Sequence, residues 1–312
     1  MFDYALLSAL AAVIRTGSFE RAARQLHVTP SAVSQRVKLL EERLGTVLVV
    51  RGQPCTGTAA GQRLCQHVEQ VSLLEDALRG TLPGIGPAAA PVTLRIAVNA
   101  DSLATWFVSA MARTDDVLFD LVLDDQDHSA DWLRNGEVLA AVTASGTPVQ
   151  GCDVHALGAL RYVATASPDY VRRHFPDGVT PAAITRAPAM TFNRKDRLQT
   201  QWLRDRFGIG EPPLTHWLPS SRAFVDAALA GLGWGMNPEV LVAGHLRAGR
   251  LVALVPGATL DVPLHWQHSR IAGTTLAGLT RAVLDAGRAA LHPVPSAGPA
   301  GSSRRREAGT HL

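Results

Sequence analysis

The stretch from residue 18 to residue 44 constrains the fold of this chain more than any other. Apolar residues recur there at helical spacing on both sides of a short break at residues 27–28. Ser18 and Thr29 stand where the N-caps of the two helices are expected, and Pro30 takes the first position of the second helix, where no N–H is needed. Gly45 is placed to end the second helix. Two short amphipathic helices joined by a tight turn predict a helix-turn-helix.

The second helix of this motif carries a small polar face. Short side chains let its backbone approach the floor of the major groove, where polar groups reach base edges and phosphates. Arg51, after a short strand in a predicted wing, is placed for a minor-groove phosphate; a solvated strand end is the alternative. The predicted DNA contacts are Thr29, Pro30, Ser31, Ser34, Gln35, Arg36, Lys38 and Arg51. A pair of ordinary surface helices is the alternative for the whole motif.

Charge and composition narrow the class of protein. The formal net charge is +3, and residues 1–51 alone carry seven basic against four acidic residues. The basic excess therefore lies where the helix-turn-helix is predicted. No apolar stretch is long enough to span a bilayer, and the three cysteines, Cys55, Cys65 and Cys152, lack metal-ligand spacing. The sequence predicts a cytoplasmic protein without cofactor or metal.

Residues 1–57 are predicted to form the winged domain, followed by a long helix over 58–80. An apolar stripe along that helix favours pairing with a second subunit, and packing on the chain's own domain is the alternative. The stripe consists of Leu64, Val68, Val71, Leu74 and Leu78. Residues 81–91, rich in Pro, Gly and Ala, predict a hinge.

From residue 92 the pattern changes to alternating strands and helices, which predicts an α/β domain with a parallel sheet. Its length favours two lobes with a cleft between them. Lobe I is predicted over 92–160 and 269–292, and lobe II over 161–268. Residues 293–312 lack periodicity and are predicted to be a disordered tail.

Three features of this domain are candidates for a ligand site. Two strand-to-helix junctions, at Ser102 and Ser221, offer backbone N–H groups and hydroxyls to an anion, with plain helix caps as the alternative. Acidic residues after the strand 121–123 suit a cation, with a solvated acidic turn as the alternative. The candidate ligand-binding residues are Asp101, Ser102, Leu103, Thr105, Asp124, Asp125, Ser220 and Ser221. Trp106, Trp217 and Trp234 fit either the pocket wall or the core. Together these features predict a zwitterionic ligand with an extra positive charge.

The run FERAARQLHVTPSAVSQRVKLLEERLG (19–45) resembles the N-terminal domain of LysR-type transcriptional regulators. The resemblance implies a winged helix-turn-helix, a linker helix that pairs two subunits, and a bilobal, periplasmic-binding-protein-like effector domain. Pro30 stands where the family usually has Gln, and Gln35-Arg36 reverses the usual order.

The runs NADSLATW (99–106) and GLGWGMNPE (231–239) narrow the resemblance to the LysR-type regulators of basic amino-acid export, the LysG/ArgP subgroup. That resemblance implies lysine or arginine as effector and double-stranded operator DNA at an exporter promoter as target. It also implies a homodimer or homotetramer that recruits RNA polymerase.

Three other functions stay open at this stage. The first is a LysR-type regulator with a different small effector, such as a neutral amino acid or an aromatic acid. The second is an architectural DNA-binding protein that needs no ligand. The third, an enzyme on a bilobal scaffold, is disfavoured because the sequence shows no catalytic constellation.

Overall fold

The computed structural model describes residues 2–81, 92–115, 117–123, 129–210 and 214–294, beginning with a small helical domain. Its helices are α1 (Tyr4–Thr16), α2 (Phe19–Gln25) and α3 (Pro30–Leu44). Strands β1 (Val49–Val50) and β2 (Thr56–Gly57) pair antiparallel as the wing. The buried faces of the three helices meet in one apolar core, so the sequence periodicity translates directly into packing.

The caps of the helix-turn-helix are those that the sequence predicts. The Ser18 side chain accepts from the backbone N–H of Arg21, and the Thr29 side chain accepts from that of Ala32. Gly45 ends α3 in the left-handed conformation, at φ 65°. His27, at φ 54°, lets the turn close within a few residues. The helix-turn-helix prediction is confirmed.

Helix α4 (Ala59–Thr81) leaves this domain as a single rod of about 34 Å. The Thr58 hydroxyl caps it by accepting from the N–H of Gly61. The predicted apolar stripe divides along its length. Its first residues, Leu64 and Val68, pack against the helix-turn-helix core, whereas Leu74 and Leu78 are 51% and 59% exposed. Of the predicted hinge over 81–91, Thr81 is the last residue of α4, and residues 82–91 lie outside the described residues.

The second domain contains nine strands and further helices in the described ranges. The strands are β3 (Val92–Val98), β4 (Val117–Leu123), β5 (Ala140–Thr143), β6 (Cys152–Ala166), β7 (Ala189–Thr191), β8 (Thr215–Trp217), β9 (Gly235–Pro238), β10 (Val252–Ala253) and β11 (Thr259–Ser269). A first helix consists of α5 (Ala100–Ser102), a π-helical segment (Leu103–Phe107) and α6 (Val108–Met111). The others are α7 (Ser129–Arg134), α8 (Pro168–His174), α9 (Pro181–Ile184), α10 (Leu198–Phe207), α11 (Ser221–Leu229), α12 (Glu239–Arg247) and α13 (Gly273–Ala290).

Two long antiparallel strands, β6 and β11, run through both lobes. The main sheet has the order β10-β6-β11-β5-β3-β4, with β9 also paired to β6. Strand β3 pairs in parallel with β4 and β5, as predicted for lobe I. In lobe II, β9 and β10 pair with the second half of β6, and β7 and β8 form a separate parallel pair.

The register of β11 against β6 shifts between Leu264 and His265, and residues 265–268 pair with β5 of lobe I. The strand therefore passes from lobe II to lobe I close to the predicted boundary at about residue 268. The strand is continuous, so its sequence carries no turn signal at the boundary.

Helix α13 closes the domain on the lobe I side, with its apolar face in the main core. The chain then pairs once more with β6, through a bridge between His292 and Ala159. The predicted tail is described as far as residue 294, and 295–312 lie outside the described residues. Within the described ranges, no helix combines the length and apolar character that crossing a bilayer requires.

Candidate functional site

Helix α3 presents the predicted polar face to solvent. Thr29, Pro30, Ser31, Gln35 and Lys38 are exposed, and Ser34 and Arg36 are half-buried. The opposite face, with Val33, Val37 and Leu40, is buried against α1 and α2. Ser31, Ser34, Gln35 and Lys38 therefore share a face of α3 that is not covered by the core.

The wing is fixed to this helix by partly buried hydrogen bonds. The Glu41 carboxylate accepts from the backbone N–H groups of Leu48, at 2.8 Å, and Val49, at 3.3 Å. Beside the wing, the Arg51 guanidinium lies 5.5 Å from the centre of the Phe19 ring. Arg51 is exposed, and this cation–π contact places it beside α2.

The predicted strand-to-helix junction in lobe I places a carboxylate in the cleft. The Asn99 side chain caps α5 by accepting from the N–H of Ser102, at 2.7 Å. Asp101, within α5, lines a cavity between the lobes. Its Oδ2 accepts from the Tyr162 hydroxyl at 2.8 Å, and its Oδ1 accepts from the Ser221 hydroxyl at 2.6 Å. Asp101 thus joins lobe I to both β6 and α11.

The other predicted residues of this junction turn away from the cavity. Ser102 is fully buried, and its amide N–H is used by the Asn99 cap. Leu103 packs against the main core. The Thr105 hydroxyl donates to the Asp101 carbonyl at 2.6 Å. Since Asp101 lines the cavity and Ser102, Leu103 and Thr105 do not, the structure offers a cation site at Asp101 where the sequence pattern suggested an anion site.

The two serines at the start of α11 have different roles. Ser220 is the N-cap and accepts from the N–H of Ala223. Ser221 is buried, lines the cavity and donates to Asp101. Of these two predicted residues, Ser221 lines the cavity and Ser220 does not.

A basic loop of lobe II, which we call the 192–197 loop, forms another wall of the cavity. The Asn193 side chain accepts from the N–H groups of Lys195 and Asp196, at 2.8 and 3.0 Å. Asp196 in turn accepts from the N–H groups of Phe192 and Leu198. These bonds give the loop a defined conformation with three basic side chains, Arg194, Lys195 and Arg197.

Arg161 and Asp261 are directly opposite each other on β6 and β11 and form a bidentate ion pair with two distances of 2.7 Å. Hydrogen bonding from Arg161 lowers the pKa of Asp261, which lines the cavity, below its ordinary value. The same bond raises the pKa of Arg161. The charge of Asp261 is therefore balanced by a fixed neighbour.

The cavity has a volume of about 600 Å³, within the range of small-molecule sites. Apolar side chains of both lobes complete its wall: Leu123, Phe224, Met236 and Val262. The predicted cation ligands Asp124 and Asp125 lie outside the described residues, directly after Leu123. Trp106 and Trp234 are core residues, and Trp217 is half exposed beside the 192–197 loop.

Comparison with known families identifies the class of protein. The pattern described as bacterial regulatory helix-turn-helix protein, lysR family, matches residues 4–62, and the LysR substrate binding domain matches residues 91–290. The chain belongs to the LysR family of bacterial transcriptional regulators. The predicted fold class is confirmed, and so is the prediction of a DNA-binding regulator instead of an enzyme.

Individual relatives carry the names of the predicted subgroup. The HTH-type transcriptional regulator ArgP of Pseudomonas aeruginosa is 47% identical over 287 residues, which are 91% of this chain and 95% of the relative. The regulator LysG of Mycobacterium tuberculosis is 47% identical over 277 residues, covering 89% and 91%. The resemblance to the LysG/ArgP subgroup is confirmed.

Two solved structures that are similar to this chain are also of regulators named ArgP and LysG. The crystal structure of ArgP from Mycobacterium tuberculosis is similar with a TM-score of 0.81 and 44% identity, covering 94% of this chain and all of that chain. Full-length LysG from Corynebacterium glutamicum with bound effector Arg is similar with a TM-score of 0.70 and 38% identity, at the same coverage.

Proposed function

We propose that this regulator senses a basic amino acid, arginine or lysine, in the cavity between its lobes. The observation that carries the proposal is the Asp101 carboxylate, which lines the cavity and is held by hydroxyls of Tyr162 and Ser221. A carboxylate accepts several hydrogen bonds at once and carries a negative charge, so Asp101 is suited to bind the cation of a ligand. A guanidinium or ammonium group is the matching partner for such a site.

The rest of the cavity suits the remainder of such a ligand. The apolar residues Leu123, Phe224 and Met236 offer contacts to a chain of methylene groups. Asp124 and Asp125 stay in the proposal as acceptors for the second cationic group, because they follow Leu123 directly in the sequence. The relative LysG from Corynebacterium glutamicum, whose structure is described with bound effector Arg, supports this assignment.

We propose further that the sensor signals to DNA through quaternary structure. Two subunits would pair along the exposed part of α4, and dimers or tetramers would place two α3 helices on a pseudo-palindromic operator. Effector binding closes the cleft and shifts an existing equilibrium between assemblies, which changes recruitment of RNA polymerase. The cytoplasm is the compartment of this process, and an amino-acid exporter gene is the proposed target.

Calorimetry on the full-length protein tests the effector. Arginine and lysine are compared with citrulline and norleucine, which lack the side-chain cation. We expect the basic amino acids to bind and the neutral ones to bind at least tenfold more weakly, because a charge-assisted hydrogen bond contributes about 1.5–3 kcal/mol. Asp101→Asn should weaken arginine binding by a similar factor.

Asp169→Asn, an exposed carboxylate on α8, is the matched control and should leave binding unchanged. Equal affinity for citrulline and arginine, or no effect of Asp101→Asn, would contradict a basic effector. Such a result would favour a LysR-type regulator of a neutral amino acid.

A further inference from the structure

Arg194, in the 192–197 loop, lies at the cavity with its guanidinium 5.2 Å from the centre of the Trp217 ring. This cation–π contact restricts the position of the Arg194 side chain. The guanidinium is a planar fork of N–H donors that matches a carboxylate, which it binds through two parallel hydrogen bonds. Trp217 itself is 49% exposed and does not line the cavity, so it contacts Arg194 from outside.

We infer that Arg194, positioned by Trp217, binds the α-carboxylate of the effector and thereby selects amino acids over the corresponding amines. This inference rests on the proposed function and adds the residue for the opposite end of the ligand. Asp101 of lobe I takes the cationic end, and Arg194 of lobe II takes the anionic end. One ligand then joins the two lobes across the cleft.

The loop that carries Arg194 is held in shape by its own hydrogen bonds. Asn193 accepts from two backbone N–H groups of the loop, and both oxygens of Asp196 accept from backbone N–H groups at its two ends. The conformational cost of ordering the loop is therefore met in folding and not in binding. The ordered loop and the cation–π contact with Trp217 together restrict the position of the Arg194 guanidinium.

The distribution of charge between the lobes favours the same orientation. Residues 92–160 and 265–292 carry eleven acidic against six basic residues, a net charge of −5. Residues 161–264 carry twelve basic against eight acidic residues, a net charge of +4. An amino acid with a cationic side chain therefore lowers its electrostatic energy by directing its carboxylate to lobe II.

The consequence is a distinction between arginine and agmatine, its decarboxylated form. Agmatine keeps the guanidinium that Asp101 binds but has no carboxylate for Arg194, so its ammonium group faces the basic lobe without a neighbouring negative charge. A regulator built in this way responds to the amino acid and ignores the amine.

Calorimetry with arginine and agmatine on the full-length protein tests the inference. We expect the wild type to bind arginine at least tenfold more tightly than agmatine. Arg194→Gln should weaken arginine binding about tenfold and leave agmatine binding within twofold. Trp217→Leu should give a smaller loss in the same direction, and Asp101→Asn should weaken both ligands.

Arg186→Gln removes an exposed arginine of lobe II away from the cavity and is the matched control, expected to bind like the wild type. Thermal melting of each variant checks its folding. Equal losses for arginine and agmatine in Arg194→Gln, or no loss at all, overturn the inference while the basic-effector proposal stands. Failure of the wild type to bind either compound overturns both.

Discussion

The Asp101 carboxylate of lobe I accepts a hydrogen bond of 2.6 Å from the Ser221 hydroxyl of lobe II. This bond crosses the cleft directly, and the same carboxylate is held by Tyr162 of β6. The group proposed to bind the effector is thus also a link between the lobes. Effector binding and lobe closure therefore share one carboxylate.

Ser221→Ala is expected to open the lobes in the effector-free protein, because it removes a hydrogen bond to a charged group, worth about 1.5–3 kcal/mol. Small-angle scattering should show a larger radius of gyration than in the wild type, and saturating arginine should restore compactness. Ser220→Ala removes the neighbouring helix cap and should cost about 1 kcal/mol of stability without changing the lobe arrangement. Identical scattering of Ser221→Ala and wild type would refute the link.

Local sequence patterns predicted the helix-turn-helix in detail. The caps at Ser18 and Thr29 and the end of α3 at Gly45 depend on neighbours within a few residues, so the sequence contains all the information. The path of β11 between lobes depends on pairing with β6, about a hundred residues away. Such pairing leaves no local signal.

The candidate site shows the same difference between features that local sequence predicts and features that depend on contacts between distant residues. Asp101 and Ser221 were predicted as site residues, yet their mutual contact depends on the packing of two lobes. Tyr162 was missed because nothing near it in sequence suggests a ligand. The 192–197 loop was also missed, although three basic residues within four positions after strand β7 are visible in the sequence.

Lys38→Ala is expected to weaken binding to operator DNA and to scrambled DNA alike. The slope of log affinity against log salt concentration should become smaller by about one unit. The Lys38 ammonium is exposed and lies 3.7 Å from Glu42, a weak i,i+4 pair that a phosphate readily replaces. Ser34→Ala should weaken specific binding alone. Fluorescence anisotropy across a salt series, on an operator selected from genomic fragments, measures both effects.

Arg43→Ala is the control for these variants, since Arg43 lies at the far end of α3 and pairs with Asp3. If neither Lys38→Ala nor Ser34→Ala altered affinity for the operator, α3 would not be the recognition helix.

Leu74→Asp is expected to break subunit pairing without unfolding the chain. Leu64 and Val68 are covered by the chain's own domain, but Leu74 is largely exposed, so a charge there is costly where a second subunit buries it. Analytical ultracentrifugation should show dissociation, with circular dichroism unchanged. Ser72→Asp, at an exposed position of the same helix, controls for the added charge. A dimer of unaltered strength in Leu74→Asp would place the interface elsewhere.

Asp261→Asn is expected to destabilise the effector-free protein at neutral pH and to matter less in acid. Arg161 lowers the pKa of Asp261, so the pair contributes stability above the ordinary carboxyl pKa of about 3.9. That contribution is lost as the pH falls through the lower folded-state pKa. The melting-temperature difference between variant and wild type should therefore be largest near pH 7 and shrink below about pH 4.

The pair between Arg95 and Asp120 separates this effect from that of surface charge. It also joins directly paired residues of neighbouring strands, but its distance is 3.4 Å and its side chains are 50% and 55% exposed. The side chains of Arg161 and Asp261 are 31% and 27% exposed and make two short bonds. Water screens the exposed pair, so Asp120→Asn should cost at most about 1 kcal/mol. Equal losses in Asp120→Asn and Asp261→Asn would mean that the bidentate pair adds nothing to the joining of β6 and β11.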